Sequence, residues 1–165
     1  MPSPLQSPNF GFLAVHDPLL VRLAAQAEAN VFTDPETALF KLRQWVEILA
    51  KQIAATARLP DTAALDLLGL LRRLGDKGFV PREAADLLHT IRTSGNRAVH
   101  DAAASQGEAL RCLRFAHKIA IWFHRAFGGD PAWRYTPFLP PPEPQAAGDE
   151  LRVELERLRT QVREL

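Results

Sequence analysis

Between Leu20 and Phe127 the apolar side chains recur at intervals of three and four residues, and no run of alternating β-branched residues bounded by turns interrupts them. That period matches the α-helical turn, so each segment presents one apolar stripe and buries it best against another helix. The expected fold class is all-α, a bundle of about five helices. With 47 % apolar residues in 165, the chain has the material for such a core. A domain near this size buries about 70 % of its unfolded surface.

Punctuation divides the pattern. Asp17-Pro18 is a helix start, with Asp as N-cap and Pro at the first helical position, and Leu20, Leu23, Ala24, Ala27 and Val31 follow. Asp34-Pro35-Glu36 repeats the signal ahead of Leu39, Leu42, Val46, Leu49 and Ile53, in a helix expected to reach Arg58 before Leu59-Pro60. Asp61 is the expected cap of a third helix carrying Leu65, Leu68, Leu71 and Leu74 and closed by Gly75 and Gly78. Val80-Pro81 opens a fourth, with Ala84, Leu87, Leu88 and Ile91 on its buried side. Ser105 and Glu108 form a capping box for a fifth, from about Gln106 to Phe127, stopped by Gly128-Gly129. Its apolar groups surround most of its circumference, which predicts a central position in the bundle.

Four segments result. Residues 1–14 form an arm whose Phe10, Phe12 and Leu13 can dock. Residues 15–129 form the bundle. Residues 130–148 form a linker with six prolines, whose aromatic half (Trp133, Tyr135, Phe138) can strap back onto the bundle while the proline half is an extended spacer. Residues 149–165 begin a charged coiled-coil-type helix, with Leu151, Leu155, Leu158, Val162 and Leu165 spaced four, three, four and three apart. This seam is still in phase at Leu165, so the helix is expected either to continue in a larger protein, of which this is the N-terminal piece, or to pair as a homodimer.

Composition excludes several classes. Twenty Lys and Arg against nineteen Asp and Glu leave a net charge of +1, which argues against a strongly basic nucleic-acid scaffold. The single cysteine, Cys112, permits neither an internal disulfide nor a cysteine-built zinc site. The N-terminus lacks the basic and apolar regions of a signal peptide, and no apolar stretch approaches the ~20 residues of a membrane span. A cytoplasmic protein without membrane contact is expected.

The most pointed local feature is residues 87–101, LLHTIRTSGNRAVHD. On one helix Arg92, Asn96 and His100 stand at i, i+4 and i+8, in a column that His89 widens. Gly95 in a helix interior costs ~1 kcal/mol relative to Ala, so it implies close approach of another backbone or a local break. An Arg beside a His, with Arg92 or Arg97 serving His100, can cleave RNA: imidazole moves a proton and guanidinium stabilises the phosphorane. The same residues can equally form a structural polar network, completed by Arg43 and Glu47 with Glu47 as counter-ion to Arg92 or His100.

A second candidate lies on the fifth helix. No acidic residue occurs from Ala109 to Phe127, while Arg111, Arg114, Lys118 and Arg125 share one side with Trp122 beside them. Such a stripe is either a nucleic-acid surface or the solvated edge of a buried helix. His117 and His124, seven apart, lack the spacing of a helical metal pair, so no metal site is expected.

The segment from Asn9 to Ala55, above all DPETALFKLRQWVE, and the motif IRTSGNRAVH resemble the N-terminal helical domain of type I restriction enzyme R subunits (HsdR) and of related DEAD/DEAH-box defence helicases. The resemblance covers about residues 9–127. It implies ATP-dependent restriction of foreign DNA, with cleavage and translocation in domains beyond this chain. ATP and magnesium are then needed only there, and no cofactor is expected in these residues. The implied partners are the other domains of the R subunit, the methyltransferase and specificity subunits, and DNA. More distantly the chain is similar to HEPN domains, many of them dimeric metal-independent ribonucleases. Their motif sets four to six residues between Arg and His, whereas here Arg92 and His100 are separated by seven and Arg97 and His100 by two.

Overall fold

A computed structural model describes residues 6–165, and for residues 144–149 the backbone alone. It is all-helical: α1 Pro18–Asn30, α2 Pro35–Thr56, α3 Leu67–Asp76, α4 Arg82–Asp101, α5 Gln106–Phe127 and α6 Pro144–Arg163, with a 3-10 turn at Gly11–Val15. Helices α1–α5 form the bundle.

The starts of α1, α2 and α5 follow from their caps. Asp17 accepts from Leu19 N, Asp34 from Thr37 N and Ser105 from Glu108 N, each satisfying an amide the helix leaves unpaired. The third helix departs from expectation. Asp66 caps it, accepting from Gly69 N at 2.8 Å, while Asp61 and Arg58 stand in left-handed backbone at φ 58° and 52°. The α2–α3 connection therefore turns twice, and α2 ends at Thr56, two residues short of Arg58. Helix α4 runs unbroken through Gly95.

The hub is α2, which packs against α1, α3, α4 and α5. Its Leu39, Leu42, Trp45, Val46, Leu49 and Ile53 are wholly buried. This corrects the central place expected of α5. Helix α5 is apolar nearly all round because bundle helices cover one side and non-helical chain covers another.

That covering joins both ends of the domain. On the N-terminal side Phe10 is fully buried, set edge-on to Trp45 and to His117 with ring centroids 6.0 Å away in each case. On the C-terminal side Trp133 packs on Phe12 and His124, and Phe138 on His117. Asn9 clasps the two. Its Oδ1 accepts from Leu139 N at 2.7 Å and its Nδ2 donates to Leu139 O at 2.9 Å, so one amide satisfies both backbone groups of the strap. Asn9 Nδ2 also lies 3.2 Å from Glu28 Oε2, and Ser7 Oγ donates to the same carboxylate. Burial raises the Glu28 pKa, and these two hydrogen bonds oppose the shift. Residues 1–5 of the expected arm lie outside the described residues.

After Glu143 the chain enters α6, whose Pro144 occupies the first turn, five residues earlier than the expected start at 149. Among the described residues no other element packs against α6. Its seam residues Leu151, Leu155, Leu158, Val162 and Leu165 are between 46 % and 105 % exposed.

Candidate functional site

Two surfaces carry the residues singled out by sequence. The first is the crossing of α2 and α4. A Cβ on Gly95 would lie 2.6 Å from Arg43 Cβ and 3.1 Å from Leu39 O, so the absent side chain is what lets the helices touch. Beside this crossing Arg43 Nε donates to Asn96 Oδ1 at 2.5 Å. The Arg43 guanidinium lies 4.0 Å from Glu47, whose closer partner is Lys51 at 3.1 Å. Arg43, Glu47 and Asn96 are thus brought together.

Arg92 and His100 are not joined to them. Arg92 is half-buried; its Nη2 reaches Thr93 Oγ1 at 3.4 Å and its Nε has no acceptor among the described residues. Glu47 serves neither residue as counter-ion. His100 is exposed near the end of α4 and has no hydrogen-bond or ion-pair partner among the described residues. Arg97, also exposed, pairs with Glu108, whose backbone amide donates to the Ser105 cap. Of the column Arg92, Asn96 and His100, only Asn96, beside the glycine, has a hydrogen bond to α2 among the described residues. His89 is held below the ordinary histidine pKa, first by burial and then by Arg92 and Arg72.

The second surface is a groove of about 570 Å³ along the outer side of α5. Helix α5 forms its floor, the first turns of α4 (Glu83, Ala84, Leu87) one wall, and the strap residues Tyr135 and Phe138 the other. Arg111, Arg114, Lys118, Trp122 and Arg125 all line it. The strap organises two of these cations, since Arg114 lies over the Phe138 ring and Arg125 over the Tyr135 ring, each 5.1 Å from the centroid. None of the four cations pairs with a carboxylate among the described residues. His117 also lines the groove; it is 4 % exposed, its Nε2 has no hydrogen-bond partner among the described residues, and burial lowers its pKa.

A third constellation was not visible in the sequence. His16 Nε2 and His124 Nδ1 are 2.9 Å apart, so one imidazole donates and the other accepts. Phe12, Phe123 and Trp133 pack around them. Burial lowers the His16 pKa, and the neighbouring His124 adds to the shift. Gly128 follows from the same packing, because a Cβ there would overlap His124 O and lie 2.9 Å from its ring. The two histidines are 108 residues apart and share no local pattern. The nearest sequence signal was Phe12 in the arm, which implied docking without naming a receptor.

Among the described residues no group of three His, Cys, Asp or Glu side chains could hold a metal ion. No helix among them is long and apolar enough to cross a membrane.

Comparison with known proteins gives two matches. The sequence model of a family described as "Domain of unknown function (DUF4145)" matches residues 25–124, which span α2 to α4 whole, most of α5 and the C-terminal part of α1. The type I restriction enzyme EcoKI endonuclease subunit of Escherichia coli (strain K12) is 33 % identical over 117 residues. That alignment covers 71 % of this chain and 10 % of the relative, so the chain spans about a tenth of the curated protein it matches. No solved structure matches the chain.

Proposed function

The chain belongs to the DUF4145 family, and from that premise we propose that it is the accessory docking module of a type I restriction R subunit. Its similarity to an endonuclease subunit supports a restriction-related role within a multi-subunit assembly. The finer reading is that cleavage and ATP-driven translocation belong to other domains of the same subunit, together with the ATP and magnesium they use. The bundle attaches those domains to the methyltransferase and specificity subunits.

The observation that carries this reading is the 33 % identity to such a subunit over most of the bundle. Two structural features accord with it. The polar residues of the α4 column are engaged in helix packing at Asn96 and left apart at Arg92 and His100, which suits a scaffold better than a reaction centre. Helix α6 leaves the bundle with its apolar seam uncovered, as a connection to further structure would.

The test is removal of residues 1–148 from a full-length R subunit that carries them. Nuclease and ATPase chemistry should persist, while co-purification with the methyltransferase and specificity subunits should be abolished or weakened.

A further inference from the structure

We propose that the groove along α5 is a binding site for a single polynucleotide strand, with phosphates on the α5 cations and bases against the aromatic wall. This goes beyond the docking reading, because it concerns what this chain binds by itself.

The charge distribution is the first support. Arg111, Arg114, Lys118 and Arg125 stand on one side of one helix, with no carboxylate paired to any of them among the described residues. Helix α5 has no acidic residue between Ala109 and Phe127, and among the described residues Glu83 is the one carboxylate in the groove lining. Four like charges held side by side oppose folding by mutual repulsion, which an anionic ligand would relieve. At ~1.5 Å rise per residue, Arg111, Arg114, Lys118 and Arg125 rise along the helix in steps of roughly 4.5, 6 and 10.5 Å. A row on that scale suits successive phosphates of an extended strand better than one isolated anion.

The second support is the apolar wall. Trp122, Tyr135 and Phe138 line the same groove, and Tyr135 is about half exposed to solvent. Arg114 and Arg125 lie over Phe138 and Tyr135, so two guanidinium groups are already oriented before any ligand arrives. Alternating aromatic faces and cations form the arrangement that takes unstacked bases and their backbone together. A purely acidic peptide would use the cations and have no need of a half-exposed aromatic such as Tyr135.

The third support is His117. It is more than nine-tenths buried, lines the groove, and its Nε2 has no hydrogen-bond partner among the described residues. A buried nitrogen without a partner is uncommon, and a polar group of a ligand that reached it through the groove would satisfy it.

The experiment uses the full 165-residue chain and a fluorescently labelled single-stranded DNA of about 20 nucleotides, long enough to fill one site, followed by anisotropy at increasing salt. Binding should weaken with salt. The Arg111→Glu, Lys118→Glu double variant should bind roughly tenfold or more weakly at low salt, with a salt slope shallower by ~0.7 for each phosphate it no longer neutralises. Tyr135→Ala should weaken binding about fivefold or more by removing a stacking face. Reversing two exposed cations elsewhere, Arg22→Glu with Arg72→Glu, makes the same change in net charge and should leave binding near wild type.

Circular dichroism and thermal melting establish that each variant is folded. Absence of binding at low salt overturns the proposal. So does equal weakening in the Arg22/Arg72 control, which would reduce the effect to net charge. Displacement by polyglutamate as effective as by unlabelled DNA would also overturn it, as would duplex bound as tightly as single strand with Tyr135→Ala silent.

Discussion

Gly95 stands where α2 and α4 touch, and an alanine there would enter the space of Arg43 Cβ and Leu39 O. Helix propensity favours alanine by ~1 kcal/mol, whereas overpacking of a close helix crossing costs about 1–3 kcal/mol. Gly95→Ala should therefore lower stability despite the better helix former, seen as a reduced urea midpoint; an unchanged or raised midpoint would contradict the close approach. Histidine sets a second residue-scale expectation. His16 and His117 are held below the ordinary value of 6.5 in the folded protein, chiefly by burial. As pH falls through that value the unfolded chain takes up more protons than the folded one, so stability is full above about pH 7 and declines toward about pH 5. Urea midpoints measured at about pH 7.5 and about pH 5.5 should show this fall, with a smaller difference in His16→Gln. Equal midpoints in the wild-type protein would exclude it. Gly95 was legible in the sequence because an interior helical glycine is costly without a reason. The His16–His124 pair was not, because residues 108 apart meet only through the arm's path over α5.

Among the elements, α6 is the one without a partner in the described residues. Written as heptads, Leu155 and Val162 hold a positions and Leu151, Leu158 and Leu165 hold d, with Glu154 at g and Arg159 at e. A parallel two-stranded pairing with a second copy sets Glu154 opposite Arg159 of that copy, and β-branched Val162 at a with leucines at d favours two strands. Two heptads are a short seam, so self-association should emerge only at high protein concentration. Sedimentation equilibrium should detect dimers that Leu155→Asp with Leu158→Asp abolishes; a monomer at every concentration would contradict the pairing. Helix starts were readable where a cap stood beside a proline, as at Asp17 and Asp34. They failed where two aspartates competed, Asp61 and Asp66, because the choice depends on the backbone turn between them. The start of α6 at Pro144 was missed for a related reason: a proline that opens a helix looks, in a proline-rich stretch, like one more spacer residue.

For the whole molecule, the all-α class and the five-helix bundle were legible from apolar period alone, since period reports which face is buried. What it cannot report is which helix is central. Helix α5 looked central because it is apolar nearly all round, yet part of that surface is covered by Phe10 from the arm and Phe138 from the strap. The groove escaped sequence reading for the same cause. Its cations lie on one helix and were found, but its aromatic wall comes from Tyr135 and Phe138 across a loop.

A bundle that serves restriction by attachment, without supplying the cutting chemistry, should be separable from that chemistry. The most direct measurement is plating of unmodified phage on cells whose R subunit lacks residues 1–148, alongside ATPase and nuclease assays of the purified subunit. ATPase and nuclease activity should be retained, with phage plating raised toward the level seen in a strain without restriction. Restriction at the full level after the deletion would contradict attachment as the bundle's role, and so would absence of cleavage chemistry in a folded deleted subunit.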